Sequence, residues 1–478
     1  MGLVEQAEAL ARGDVSSREL VAECLESVRR QEALGAFRVV RAQAAGREAQ
    51  EADKRLADGE RLPLLGVPVA IKDDTDLAGE TTPFAVTGDH RPVARDGEVV
   101  RKLRAAGAVV VGKTNTCELG LWPFSESGFG VARNPWNPEY SPGGSSGGSA
   151  VAVAAGMVAG AVGSDGAGSI RIPAAWTGLV GIKPQRGRVS GYPQTDPFNG
   201  ITVWGPLARS VGDAALLLDV LSGSHPDDVY QVDAAVVPFV EAAKREPGRL
   251  RVAVSFRTAF GVSGRLHPEI RAAVERLARR LTDLGHKVFP ADPDYGLVGL
   301  GLAPRGTAGV ADWLESIPNA RPERRTEVEA AIGRLVGRRL LPLARRLDPY
   351  LRRKVGRIFQ VADVVLTPTT AQPPLRVGAF DGVGYRKTQS GVAAACPYAW
   401  TWNVVGWPAV NVPAGFMKSG LPIGAQLLGH DSDEATLISL AAQLEAVEGW
   451  PGGARPLDAG GWRPEDGGPG GVPSIRRR

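Results

Sequence analysis

The segment YSPGGSSGGSA, Tyr140 to Ala150, holds two overlapping G-x-S-x-G patterns, one centred on Ser145 and one on Ser146. A serine in that pattern attacks acyl carbons when a hydrophobic strand runs into a strained turn and a histidine stands by as base. Here the approach is NPWNPEYSPGG, whose prolines make it a loop, and none of the five histidines (His90, His225, His267, His286, His430) falls in a setting for a triad base. A phosphate loop also fails, because no Gly-Lys-Ser/Thr follows the glycines. Taken alone, the stretch reads as a glycine hinge entering a helix, with Ser149 as the cap.

A second small-residue turn follows in VGSDGAGSIRIPAAW, where Gly166, Gly168 and Ser169 combine a permissive backbone with another hydroxyl. Successive backbone N–H groups in such a turn can converge on an anion, as acyl transfer requires. A nucleophilic serine without histidine needs another base. A lysine serves when burial keeps it neutral, since loss of solvation disfavours its charged form. Lys72, Lys113 and Lys183 each end an apolar run, and on spacing alone the three are equal candidates.

Strands must carry these lysines. LLGVPVAIKDD and AAGAVVVGKTN read as buried strands, and DGEVVRKLRAAG between them as a helix closed by Gly107, which is the alternation of a parallel α/β sheet. SAVAVAAGMVAGAVGSD predicts a small-residue helix running into a strand. LRVAVSF, HPEIRAAVERLARRLTDLG and HKVF predict strand, helix and strand again. Near the N-terminus, Ser16 or Ser17 caps a helix with Leu20, Val21, Cys24, Leu25 and Val28 on one face. The Arg-rich stretch 321–357 reads as solvated helices, with Ile332, Leu335, Val336, Leu343, Leu347 and Leu351 as the apolar face.

Composition bounds the function classes. Lys plus Arg (56) barely exceeds Asp plus Glu (52), so nothing signals a nucleic-acid partner. Cys24, Cys117 and Cys396 are scattered and odd in number, which argues against a disulfide framework or structural zinc and fits a cytoplasmic setting. The first residues lack the basic start and apolar run of a secretory signal, Gln6 stands where myristoylation needs Ser or Thr, and no run is long enough for a membrane span. Residues 1–450 predict one domain, and 451–478, poor in apolar residues and rich in Gly and Pro, a tail.

Together, GVPVAIKD, GKTN, RNPWNPEYSPGGSSGGSAVAVAAGM, GSDGAGSIRIPAAWTGLVGIKP, WNVVGWPAVNVPAGF and GLPIGAQLLG resemble the amidase signature family over residues 4–450. The resemblance implies an α/β fold with a large mixed, mostly parallel sheet covered by helices on both faces. It implies a Ser-cisSer-Lys triad with Lys72 as base, Ser145 as bridging serine after a cis peptide bond, and Ser169 as nucleophile. The amides of Gly166, Ala167, Gly168 and Ser169 become the oxyanion hole, although the family commonly has glycine where Ala167 stands. Asp165 and Arg171 are expected to hold that loop.

No cofactor or metal is implied, and the partner is a small-molecule amide, hydrolysed by a monomer or homodimer. CELGLWPFSESGFG matches the family's pocket-forming segment, so Leu119, Leu121, Trp122 and Phe124 are candidate wall residues, joined by Trp400 and Trp402. Their aromatic and apolar character favours an apolar or aryl acyl group. Two other readings stay open: the glutamine-amidase subunit of an aminoacyl-tRNA amidotransferase, which needs partner subunits and a polar pocket, and an inactive binding relative.

Overall fold

Runs of β-branched residues punctuated by glycine become the strands of this chain. In order they are β1 (Phe37–Val40), β2 (Pro68–Lys72), β3 (Val109–Thr114), the short pair β4 (Glu126–Ser127) and β5 (Gly130–Val131), β6 (Gly160–Asp165), β7 (Val180–Lys183), β8 (Val203–Ala208), β9 (Arg251–Val254), β10 (Lys287–Pro290), β11 (Val364–Pro368), β12 (Ala409–Phe416) and β13 (Pro422–Leu428). The structure, a computed structural model, describes residues 1–259 and 265–450. The tail expected at 451–478 lies outside the described residues.

Eleven strands form one sheet in the order β1-β3-β2-β6-β8-β7-β12-β13-β11-β9-β10. Every residue of β2, β3, β6, β7, β8, β11 and β13 is buried, so both faces of the sheet are covered. The α/β class and the large mixed sheet are as expected, but the balance of pairings is not. β3-β2-β6 and β11-β9-β10 run parallel. β1-β3 and the central run β6-β8-β7-β12-β13-β11 pair antiparallel. Six of the ten strand pairings in this sheet are thus antiparallel, so the sheet is mixed and not mostly parallel. Parallel neighbours need a crossover such as helix Glu98–Ala105 between β2 and β3, whereas β12 and β13 are joined by the short loop 417–421, which reaches only an antiparallel neighbour.

Helix Ser17–Arg30 starts on a capping box: the Glu19 amide donates to Ser16 Oγ at 3.2 Å, and the Ser16 amide to Glu19 Oε2 at 2.8 Å. Helix Gly147–Ala154 runs toward β6 with all of its residues buried. Ser149 is not its cap. It lies inside the helix, its hydroxyl donates to the Val162 carbonyl at 3.1 Å, and it shares a 2.7 Å hydrogen bond with Thr114, so the sheet rather than the helix end uses it. In the Arg-rich stretch, helices Arg324–Ile332 and Arg338–Val355 form, and Arg338, Arg345 and Arg352 pair with Asp312, Asp196 and Asp431. Leu335, Val336 and Leu343 are exposed, contrary to the expected apolar face. The buried positions are instead Ala330, Gly333, Gly337, Ala344 and Leu351, at helical spacing through the π-helical turn Gly333–Gly337, so small residues face the core and the larger ones lie beside that face.

Candidate active site

Lys72 closes β2, and Ser164 and Asp165 close β6. These strands are parallel neighbours, with Ala70 opposite Ala161 and Ile71 opposite Val162, so their C-terminal ends lie side by side. The loop entering helix Gly147–Ala154 meets them there. Lys72 Nζ donates to Ser145 Oγ at 2.7 Å and to Ser164 Oγ at 2.8 Å, with Asp74 Oδ2 at 3.3 Å. Lys72 is 1% exposed and Ser145 1%, so this polar cluster is closed off from bulk water.

The rival lysines are spent elsewhere. Lys113 Nζ lies 3.1 Å from Asp73 Oδ1 and donates to the Thr81 carbonyl and Thr82 hydroxyl at 2.7 and 2.9 Å. Asp73 also binds Arg38. Lys183 donates to the Pro184 carbonyl at 2.8 Å; burial, reinforced by the charge of Arg171, lowers its pKa to about 7.

Backbone geometry places Ser145. The Gly144–Ser145 peptide bond is cis. A Cβ at residue 144 would come within 2.4 Å of the Phe124 carbonyl oxygen, so only glycine fits that approach. Ser125, which sequence reasoning missed, braces the loop: its hydroxyl donates to the Ser145 carbonyl at 3.1 Å and accepts from the Gly147 amide at 2.9 Å. Ser146 is wholly buried, and its hydroxyl exchanges hydrogen bonds with the Ser164 backbone at 3.1 and 3.2 Å.

Ser169 sits in the turn between β6 and helix Arg171–Thr177, tied to the Ser145 loop through its carbonyl, which accepts from the Ser146 amide at 3.1 Å. Its hydroxyl has no hydrogen-bond partner among the described residues, and at 8% exposure the residue is more open than Ser145. Asp165 organises the turn by accepting from the Gly168 amide at 2.7 Å, the Ile170 amide at 3.2 Å and Arg171 Nε at 3.0 Å. Burial alone would raise the Asp165 pKa, but the attraction and hydrogen bonds of Arg171 outweigh it and hold the carboxyl well below the usual range. Arg171 in turn donates to Gln426 Oε1 at 2.9 Å and Asn403 Oδ1 at 2.7 Å.

One oxyanion candidate is corrected by this geometry: the Gly168 N–H is already donated to Asp165. The N–H groups of Gly166, Ala167 and Ser169 have no protein acceptor among the described residues. The positive φ of the turn, +118°, falls on Gly168 and not on Ala167, so the alanine carries no left-handed strain.

Gly120 is the missed link to the wall segment. A Cβ there would lie 3.0 Å from Ser145 Oγ and 3.7 Å from Lys72 Nζ, so its flanks, Leu119 and Leu121, border the lysine-serine pair. Leu119 packs with Phe84 and Val310, and Leu121 is half-buried. Trp122 stacks on Phe124 at 6.1 Å and Phe124 on Phe380 at 5.6 Å, with the Arg325 guanidinium over both Trp122 and Phe124. Phe380, Val328 and Tyr385 continue into a groove of about 960 Å³. Trp402, by contrast, is no wall residue. It is fully buried, donates to the Gly429 carbonyl at 2.9 Å and packs with Trp407 in a core cluster that also takes Trp400.

The chain belongs to the amidase family, whose model matches residues 19–438. It is 52% identical over 447 residues to a Mycobacterium tuberculosis relative carrying the amidase name AmiA2, covering 92% of each chain. It is 35% identical to a glutamyl-tRNA(Gln) amidotransferase component of Synechococcus sp. (strain WH7803), covering 93% of this chain and 96% of that one. Among solved structures, 6-aminohexanoate cyclic dimer hydrolase complexed with substrate superposes with a TM-score of 0.86 at 29% identity, covering 95% of this chain and 98% of the other. The protein is thus a hydrolase acting on amide carbon–nitrogen bonds.

Proposed function

We propose that this chain hydrolyses a linear carboxamide with an apolar or aryl acyl group to the carboxylic acid plus ammonia or amine, through an acyl-enzyme on Ser169. The observation that carries the reading is the buried Lys72–Ser145 hydrogen bond beside an unpartnered Ser169 hydroxyl. Ser169 Oγ attacks the amide carbonyl while its proton passes to Ser145 and the Ser145 proton to Lys72. The developing oxyanion meets the free N–H groups of Gly166, Ala167 and Ser169. Collapse breaks the C–N bond, and the Lys72 proton returns through Ser145 to the leaving nitrogen. Water, deprotonated along the same path, releases the acid.

Leu119 and Leu121 flank Gly120, which lies beside the lysine-serine pair, and Trp122 and Phe124 pack behind them; this apolar segment supports the reading of an apolar or aryl acyl group. The likeness to the amidotransferase component keeps glutamine as a second substrate reading, which the aromatic wall disfavours.

Purified chain treated with a fluorophosphonate probe and mapped by peptide mass spectrometry should be labelled at Ser169. A panel of alkyl and aryl amides, with glutamine included, should show turnover of the former and little of the latter. Lys72→Arg should be nearly as inactive as Lys72→Ala, because a guanidinium keeps its proton. Labelling at Ser145 or Ser146, or an active arginine variant, would refute the mechanism.

A further inference from the structure

Helix Arg338–Val355, with the π-helical turn Gly333–Gly337 before it, shows four different rows of side chains. Gly337, Ala344, Leu351 and Val355 are buried against the rest of the chain. Arg338, Arg345 and Arg352 follow at intervals of seven and pair with Asp312, Asp196 and Asp431. One position on, about 100° further round a helix, Arg339, Arg346 and Arg353 are exposed and have no ion pair among the described residues.

The fourth row is apolar. Val336, Leu340, Leu343, Leu347 and Tyr350 recur at steps of four and three, the spacing that keeps side chains on one side of a helix. Leu343 is 50% exposed, Val336, Leu340 and Tyr350 are exposed nearly as much, and Leu347 is half-buried. Leu335, 65% exposed, adds to them at the π-helical turn. At about 100° per residue the row falls between the buried face and the unpaired arginines, so apolar and cationic side chains share one open flank.

Single leucines on a surface are ordinary, but a continuous row of them marks a contact face. The charge beside this row has one sign. The only acid on the helix is Asp348, whose carboxylate is taken up by Arg305 at 2.7 Å and Arg186 at 3.6 Å. What covers the flank must therefore supply anions to the arginines and a water-free region to the leucines. A second copy of this helix would bring leucines but no anions, and a nucleic acid would bring phosphates and leave the leucines in water.

We propose that helix Arg338–Val355 is a peripheral docking surface for an anionic phospholipid membrane, lying in the plane of the lipid surface. Arg339, Arg346 and Arg353 donate to lipid phosphates, while Leu335, Leu340 and Leu343 enter the boundary between headgroups and acyl chains. The buried face already packs on the chain, so the helix is formed before it meets lipid. The inference is independent of the roles assigned to Lys72, Ser145 and Ser169.

The test sediments the full chain with vesicles of phosphatidylcholine alone and of an equal mixture of phosphatidylcholine and phosphatidylglycerol. Partition onto the mixed vesicles should be higher by about tenfold or more, since each arginine near an anionic surface adds to the attraction. Arg339→Gln, Arg346→Gln and Arg353→Gln together should bring it down to the phosphatidylcholine level. Leu335→Ser, Leu340→Ser and Leu343→Ser together should weaken it by about tenfold or more, because apolar area no longer leaves water. Both variants should keep the native circular dichroism and the native rate of fluorophosphonate labelling.

Equal partition onto the two kinds of vesicle, or none onto either, would overturn the proposal. So would a partition that falls in the arginine variant and is untouched in the leucine variant, which is plain charge attraction. A dimer seen by light scattering and broken by the leucine variant, without vesicle binding, would give the flank to a second copy instead. Should the triple leucine variant not fold, Leu343→Ser alone takes its place, with a loss of about threefold expected.

Discussion

Three lysines end buried strands in this chain, and what stands opposite each one decides its work. Lys183 is the one with a strongly lowered pKa, about 7 against an ordinary 10.5, from burial first and then from Arg171. Between those two values the unfolded chain holds a proton that the folded chain has released, so this residue makes stability rise as pH climbs through the window. Lys183→Met should remove that contribution: urea midpoints of the native chain should rise from pH 7 to pH 10 relative to those of the variant. Parallel midpoints would show that the ammonium is comfortable where it lies. Sequence could nominate the lysines but not rank them, because their partners are distant: Ser145 lies 73 residues beyond Lys72, and Thr82 lies 31 before Lys113. Nor could the adjacency of Asp73 and Asp74 say which carboxylate faces the amine. Strand-like alternation sends Asp73 to Arg38 and Asp74 to Lys72.

Glycine carries information at the element level that composition hides. In helix Gly147–Ala154 the second residue, Gly148, would place a Cβ 2.5 Å from both the Ala36 carbonyl oxygen and the Asn115 nitrogen, so the helix start is pressed directly onto neighbouring backbone. Gly148→Ala should cost about 1–3 kcal/mol by overpacking and slow fluorophosphonate labelling by displacing the adjacent Ser145 loop. An unchanged urea midpoint would mean that the neighbours yield without cost. The element itself was legible, since a run of small apolar residues after two glycines reads as a packed helix. What Ser149 does was not, because its hydroxyl turns to Thr114 and Val162 on other strands. The inward face of the Arg-rich helices was equally hidden: Gly333, Gly337 and Ala344 are buried while Leu335 and Leu343 are exposed, and a reading that follows the largest apolar residues picks the wrong side.

Across the whole molecule, the parallel flanks were readable from their strand-helix-strand patterns, while the antiparallel centre depends on strands brought together from far apart, as β7 and β12 are. That centre delivers Gln426 on β13 to Arg171, and the helix Thr401–Val405 leading into β12 delivers Asn403. Gln426→Ala should leave one guanidinium nitrogen buried without an acceptor, costing about 1–3 kcal/mol, and should loosen the Ser169 turn so that labelling slows. Native labelling kinetics in that variant would show that Asp165 alone holds the turn. The same brace has a consequence during synthesis. Lys72, Ser145 and Ser169 all precede Arg171, but its two amide partners are encoded 232 and 255 residues later. At translation rates of about 5–20 residues per second, a nascent chain carries all three members of the proposed trio for roughly 10–50 seconds before the ribosome has made the amides that hold Arg171. Truncated products that stop before Asn403 would contain Lys72, Ser145 and Ser169, the trio proposed to react, without either of the amides that hold Arg171.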